Sequence, residues 1–163
     1  MIDKSYADAL AYSLKLLKIR PRSIFEVNDR LSARKQPPDV IMKVISSLRG
    51  SGHLNDLQFA KAWVEDRMNF NPKAPAILAR ELKQKGLNEN IIETVLGEAK
   101  KRFDFNDVAS GMADTFIKRL GGNISRESAK RRVAGYLKRR GFSSTLIDDI
   151  LNKKFDGYET QIN

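Results

Sequence analysis

The sequence predicts an all-α protein, an elongated tandem array of three three-helix repeats. The first observation is an internal repeat: residues 80–96 match residues 135–151 at a constant offset of 55, and residues 27–45 match residues 78–96 at an offset of 51. The second is that apolar residues recur at helical spacing in all three copies, without strand-like alternation. A unit of about 50 residues buries little of its own surface, so we expect neighbouring units to pack in series.

The first repeat is assigned to residues 1–52. Leucines at helical spacing indicate its first helix, and Ser23 and Glu26 have the spacing of a capping box that opens the second helix. Pro37 and Pro38 separate this helix from the third, because proline lacks the amide hydrogen that a helix interior needs. We expect helices over residues 5–19, 23–35 and 38–49.

The second repeat is assigned to residues 53–103. Either Asn55 or Asp56 can cap its first helix, which Pro72 follows. Gly86 stands at the end of the second helix, where the left-handed backbone conformation favours glycine. We expect helices over residues 56–69, 73–85 and 89–101.

The third repeat is assigned to residues 104–155, and residues 156–163 to a C-terminal tail. The same signals recur here, with Gly121 after the first helix, Ser125 before the second and Gly141 after it. We expect helices over residues 105–120, 126–140 and 144–153.

The charge balance favours an anionic partner, because 30 Lys and Arg oppose 20 Asp and Glu, for a formal net charge of +10. Such a field attracts nucleic acid, acidic protein surfaces or anionic lipid and does not choose among them. No apolar run approaches the roughly 18 residues of a membrane-spanning helix, and the N-terminus lacks a signal-peptide pattern. We therefore expect a cytoplasmic protein that does not bind a membrane.

Catalytic and metal chemistry are not expected. The chain has no cysteine, which excludes thiolate zinc sites and cysteine nucleophiles, and its one histidine, His53, argues against a catalytic triad or a multi-histidine metal site. Phe59 and Trp63 lie four residues apart on an apolar stripe, which favours packing over a base-stacking platform. The sequence thus predicts a protein that is not an enzyme and holds no cofactor or metal.

Positive charge is concentrated between Lys118 and Arg140, where nine basic residues are opposed by Glu127 alone. At about 100° per residue, the apolar side chains of the predicted helix 126–140 form one buried stripe and leave cations on the exposed face. Such a face either only keeps the protein soluble or binds an anion. The third helices carry carboxylates that phosphates would repel, so contact with a backbone or a filament is favoured over base recognition.

Three groups of residues carry a family resemblance by their order and spacing: Leu16-Leu17 followed by Arg22-Ser23 and Glu26; Gly52-His53-Leu54-Asn55-Asp56-x-x-Phe59-Ala60 with Arg67 after it; and Ile77-x-x-x-x-Leu82-Lys83-x-Lys85-Gly86-Leu87. With these motifs the chain resembles the RecX regulatory family. The resemblance implies a tandem three-helix architecture and a modulator, mostly an inhibitor, of the RecA recombinase in DNA repair, homologous recombination and the SOS response. Two departures concern loop geometry: Lys73-Ala74-Pro75 precedes the second helix of the middle repeat, and Lys35 stands where later repeats have glycine.

The resulting hypothesis is a monomeric regulatory protein that binds the groove of the RecA filament on DNA and inhibits RecA ATPase, strand exchange and co-protease activity. Contact with DNA is expected within the filament, or weakly alone. The alternative is a non-sequence-specific DNA- or RNA-binding helical protein that acts independently of RecA. The residues expected to contact the partner are exposed cations, with Lys83 as the repeat counterpart of Lys138: Lys83, Arg126, Lys130, Arg131, Arg132, Lys138 and Arg139.

Overall fold

The computed structural model describes residues 4–121 and 124–156, and within these ranges it contains helices and no strand. The all-α prediction is confirmed, and every predicted helix has a counterpart. Residues 157–163 of the predicted tail lie outside the described residues. The helices are α1 (Lys4–Ile19), α2 (Ile24–Ala33), α3 (Pro38–Gly50), α4 (Asp56–Phe70), α5 (Pro75–Gln84), α6 (Glu89–Arg102), α7 (Phe105–Leu120), α8 (Arg126–Arg139) and α9 (Ser144–Leu151), and a π-helical turn, Asn152–Asp156, follows α9.

The predicted helices that correspond to α2, α5, α8 and α9 were too long, and the backbone explains the two largest differences, in α2 and α5. α2 ends at Ala33 rather than 35, because Lys35 adopts a left-handed conformation with φ 57°. α5 begins at Pro75 rather than 73, since a residue that precedes proline is disfavoured in helical conformation.

Contacts divide the chain into two compact units that differ from the three repeats of the sequence. Unit 1 comprises Met1–Glu65 and Ala79–Val95, and unit 2 comprises Asp66–Leu78 and Leu96–Asn163. The helices α4, α5 and α6 each contribute to both units. The repeat boundaries at 52, 103 and 155 stay a prediction.

The core of unit 1 lies among α1, α2 and α3. Val27, Leu31, Val44 and Leu48 are at most 1% exposed, and burial of each such side chain contributes about 1.5–3 kcal/mol. The predicted capping box at the start of α2 is confirmed, with the side chain of Ser23 as its N-cap.

The start of α4 is capped by Asn55, whose Oδ1 accepts a hydrogen bond from the amide of Gln58 at 3.0 Å. Asp56, the other candidate, accepts a hydrogen bond from the amide of Ile24 at 2.9 Å. Burial raises the pKa of the Asp56 carboxyl, although this hydrogen bond and the charge of Arg49 oppose the change. Asp56 thus ties the start of α4 to the start of α2.

The core of unit 2 lies among α7, α8 and α9. Ala109 and Ala113 from α7 pack with Val133 and Leu137 from α8, and all four are 0% exposed. Small residues on α7 let the two helices approach closely, while α9 contributes Ile147 and further apolar side chains.

A repeated hydrogen bond joins consecutive repeats, once inside each unit. In unit 1 the hydroxyl of Ser23 donates to the carbonyl of Lys85 at 2.7 Å, and in unit 2 the amide of Ala74 donates to the carbonyl of Arg140 at 2.9 Å. Offsets of 51 and 55 relate Ser23 to Ala74 and Lys85 to Arg140. We call each of these contacts an inter-repeat joint.

Glycine follows both joints because no side chain fits there. Gly86 and Gly141 have φ values of 77° and 83°. A Cβ atom on Gly86 would lie 2.3 Å from the Cβ of Phe25, and one on Gly141 would lie 2.3 Å from the Cγ1 of Ile77. The glycines predicted from helix-end geometry therefore also permit the close approach of the neighbouring helix.

Candidate partner-binding surface

The helix α8 displays the cations that the sequence singles out. Its N-cap is Ser125, whose Oγ accepts a hydrogen bond from the amide of Ser128 at 3.3 Å. Glu127 lies in the first turn, where the helix dipole stabilises a negative charge. Six of the seven charged residues in the sequence of α8 are basic, which leaves this helix with a net charge of +5 (six minus one).

Three of these cations, Arg131, Arg132 and Arg139, line one surface groove of about 570 Å³. Phe116 and Gly135 line the same groove. Glycine leaves this part of α8 without a side chain, so the guanidinium groups border an open depression. The arrangement suits an anion, because the planar guanidinium group can donate two parallel hydrogen bonds to a phosphate or a carboxylate.

Three cations of this surface have no partner among the described residues. Arg132, Lys138 and Arg139 are exposed and make no hydrogen bond or ion pair with residues 4–121 or 124–156, whereas Arg131 donates to the hydroxyl of Ser128 at 3.3 Å. Lys138 follows Arg131 by seven residues, two helical turns, and so lies on the same face. We call Arg131, Arg132, Lys138 and Arg139 the α8 cationic face.

The other three predicted contact residues lie elsewhere. The guanidinium of Arg126 donates a hydrogen bond to the carbonyl of Phe155, beside a different pocket that Lys153 and Lys154 also line. Lys130 is half-buried on α8. Lys83 belongs to unit 1, where its Nζ lies 3.6 Å from the carboxylate of Glu89.

Aromatic contacts involve Phe116, which lines the same groove as the arginines of the α8 cationic face. Phe116 and Tyr136 stack with ring centroids 4.2 Å apart, and the guanidinium of Arg140 lies 3.9 Å from the centroid of Tyr136. Arg140 also donates to the Oδ1 of Asn71 at 3.4 Å. Because Arg140 makes these contacts, it is not a free surface cation, although it belongs to the basic stretch of the sequence.

Sequence reasoning missed Gly135, Phe116 and Ser128 as parts of the groove. A glycine inside an otherwise regular helix costs about 1 kcal/mol relative to alanine, and that anomaly was the available signal for Gly135. Phe116 and Ser128 gave no such signal. Phe59 and Trp63 have the packing role that was predicted, with ring centroids 5.8 Å apart and the indole of Trp63 donating to Glu81 at 3.0 Å.

A polar cluster around Glu26 in unit 1 was not predicted from the sequence. The Glu26 carboxylate accepts hydrogen bonds from Arg20 at 2.9 Å, from Lys85 at 2.9 Å and from the amide of Ser23 at 3.2 Å. Burial raises the pKa of Glu26, but these hydrogen bonds outweigh it and lower the pKa to about 2. This cluster stabilises the joint between Ser23 and Lys85.

No group of three or more His, Asp or Glu side chains in the described part of the chain could hold a metal ion. Within residues 4–121 and 124–156, no helix combines the length and apolar character needed to cross a bilayer.

These features define the class as a tandem three-helix protein with a cationic face on one helix. Two family models match the chain, the first three-helix domain of RecX over residues 9–48 and the second three-helix domain of RecX over residues 55–96. The chain belongs to the RecX family.

Its relatives carry the name Regulatory protein RecX, a regulator's name and not an enzyme's. The Mycobacterium avium protein is 32% identical over 88% of this chain and 82% of its own length. The Bacillus pumilus and Bacillus subtilis proteins are 30% and 34% identical over 99% and 86% of this chain. This chain spans only 62% and 53% of their respective lengths.

A solved structure has the same fold. The crystal structure of RecX from Lactobacillus salivarius matches with a TM-score of 0.74, over 91% of this chain and 96% of that one. The two sequences are 24% identical, so this likeness supports the architecture alone.

Proposed function

We propose that this protein inhibits a RecA recombinase by binding the groove of its filament on DNA, with the α8 cationic face against an anionic surface. Membership of a family whose members are named regulatory proteins supports a regulatory role. The inhibited activities would be ATP hydrolysis, strand exchange and co-protease activity. The protein would act as a monomer in the cytoplasm.

The α8 cationic face is the observation that carries the proposal. Its like charges repel one another, and among the described residues no carboxylate pairs with Arg132, Lys138 or Arg139. An anionic partner would remove that repulsion and gain charge-assisted hydrogen bonds. A filament on DNA offers both phosphates and acidic protein side chains.

Base recognition by the last helix of the repeat is disfavoured by charge. Asp148 and Asp149 are both exposed on α9, where phosphates would repel them. The cations lie instead on the second helix. Contact with a backbone or a protein surface therefore fits better than sequence-specific DNA binding.

The test is steady-state ATP hydrolysis by the cognate RecA on single-stranded DNA, with this protein added after filaments have formed. We expect loss of hydrolysis at substoichiometric amounts. Changing the four residues of the α8 cationic face to Glu should weaken inhibition about a hundredfold, because attraction becomes repulsion. Unchanged inhibition at low and moderate salt would exclude this face as the contact.

A matched control changes four exposed lysines outside α8 to Glu, and thus alters the net charge equally: Lys4, Lys15, Lys43 and Lys100. If inhibition depends on the α8 cationic face rather than on total charge, this control should inhibit nearly as well as the parent. Thermal melting of both variants checks that each remains folded.

The second candidate is an independent nucleic-acid-binding protein. Phe116 lines the groove beside three arginines, and aromatic rings next to cations are typical of single-strand binding surfaces. This function predicts tight binding to bare DNA with a steep salt dependence and no preference for DNA coated with RecA. Absence of any effect on RecA, together with such binding, would favour it.

A further inference from the structure

A second cationic pocket lies in unit 1 and is unrelated to the α8 cationic face. It has a volume of about 500 Å³, within the range of sites for small ligands. Its basic side chains are Lys18, Arg22 and His53, and its apolar wall includes Leu14, which is 38% exposed. No aspartate or glutamate lines it.

Arg22 lacks an internal partner in this pocket. Its Nε is buried without a hydrogen bond, and the guanidinium makes no ion pair with the described residues. Among the described residues, the other buried guanidinium Nε without a hydrogen bond belongs to Arg140, but that side chain stacks on Tyr136 and donates to Asn71 through another nitrogen. Arg22 has no comparable compensation. Because Nε is buried, a ligand in the pocket would meet the other guanidinium nitrogens of Arg22, which make no hydrogen bond with the described residues.

Neighbouring charges compensate the positive charge of Arg22 only in part. Burial lowers the pKa of the Arg22 guanidinium, and the charge of Arg20 lowers it further, with only partial opposition from Glu26. The Glu26 carboxylate accepts hydrogen bonds from Arg20 and Lys85 and is thereby occupied. Lys18 on α1 is exposed and makes no ion pair with the described residues.

The polar groups of the pocket could also hold the remainder of a ligand. His53 has one ring nitrogen, Nδ1, 2.8 Å from the hydroxyl of Ser51, which leaves its Nε2 for another contact. The amide of Gln58 lines the pocket and makes no side-chain hydrogen bond with the described residues. A guanidinium and an ammonium that approach from different elements suit the tetrahedral oxygens of a phosphate group, which accept charge-assisted hydrogen bonds from several directions.

We infer that this pocket binds the phosphate group of a nucleotide, with Arg22 and Lys18 on the phosphate, His53 beside them, and the nucleoside against the apolar wall. The nucleotide is either a unit of single-stranded DNA or a free nucleoside phosphate, since both present an anionic phosphate group beside a nucleoside. The site belongs to unit 1 and shares no residue with the α8 cationic face, so it does not depend on the proposed function and can be tested without RecA.

The experiment follows the Arg22 Nε–H resonance by NMR while inorganic phosphate, deoxyadenosine monophosphate or a 12-nucleotide oligothymidine is added to the full chain. We expect saturable shifts with the nucleotide ligands. Arg22→Gln and Lys18→Ala should each weaken the dissociation constant about tenfold or more, because each removes a charged donor. For Arg22→Gln, backbone resonances of Gly52 and His53 report binding.

The control is Lys15→Ala, since Lys15 is an exposed lysine of α1 that does not line the pocket. Its affinity should equal that of the parent. If only the oligonucleotide binds, the ligand of the pocket is single-stranded DNA. If the monophosphate binds as tightly, the ligand is the free nucleotide. No saturable shift with any ligand, or equal affinity in the parent, Lys18→Ala and Lys15→Ala proteins, would overturn the inference.

Discussion

Removal of the Glu26 charge should destabilise the protein by an amount that depends on pH. The carboxylate is 13% exposed and forms ion pairs with Arg20 and Lys85, each with an N–O distance of 2.9 Å. Folding lowers its pKa from an ordinary 4.5 to about 2, a difference that corresponds to about 3 kcal/mol. Because solvent screens these groups, we reduce the expected contribution to about 2 kcal/mol.

The substitution Glu26→Gln keeps the shape of the side chain but removes both ion pairs. Since the pKa is depressed in the folded state, the stabilisation is fully present above pH 4.5 and is lost as pH falls towards 2. Urea denaturation of the parent and the variant should therefore differ by about 2 kcal/mol at pH 7, and by progressively less between pH 4.5 and 2.

The matched control for this experiment is Glu93→Gln, because Glu93 is an exposed carboxylate on α6. Its effect should stay within about 0.5 kcal/mol at every pH. A Glu26→Gln difference that is constant from pH 7 to 2, or no larger than that of the control at pH 7, would refute the reasoning about the Glu26 cluster.

Three glycines, two just after helix ends and one inside α8, give further tests. Gly141→Ala should lower the free energy of unfolding by about 2–4 kcal/mol in thermal or urea unfolding, since its Cβ would lie 2.3 Å from the Cγ1 of Ile77. Gly52→Ala is the control, because Gly52 has a similar φ of 77° but no atom within 4 Å, and it should lower the free energy of unfolding by about 1 kcal/mol. Equal losses would contradict the close approach. Gly135→Ala should raise the free energy of unfolding by about 0.5–1 kcal/mol, because the added Cβ meets only the flexible end of Arg139 at 3.3 Å. The same change should weaken inhibition of RecA severalfold, because the methyl group would fill part of the groove. Inhibition that rises together with stability would exclude the groove as a contact.

The helices could be predicted from the sequence because their boundary signals are local. Ser23 and Glu26 lie three residues apart, and Gly86 needs only the geometry of its own helix end. The hydrogen bond from Ser23 to Lys85 spans 62 residues, so no local pattern could reveal it. The capping box was thus predicted, but its second role in the joint was not.

The candidate surface was predictable in part for a similar reason. Helical periodicity places Arg131 and Lys138 on one exposed face, as the structure has them. Periodicity cannot show what packs beside a helix, and Arg126 donates a hydrogen bond to the carbonyl of Phe155, 29 residues away. The partner of Arg126 therefore needed the tertiary structure.

The two inter-repeat joints share a geometry but differ in chemistry, which makes their response to acid unequal. The offset of 51 places Ile77 at the position of Glu26, so the joint of unit 2 has an apolar side chain where that of unit 1 has a carboxylate. As pH falls below 4.5, the ion pairs of the unit 1 joint contribute progressively less to stability and are lost near pH 2, whereas the apolar Ile77 side chain of the unit 2 joint does not titrate. We therefore expect acid to lower the hydrogen-exchange protection of the Gly86 amide more than that of Gly141. Equal loss at both amides would mean that the ion pairs contribute little and that the apolar contacts, common to both joints, hold the repeats together.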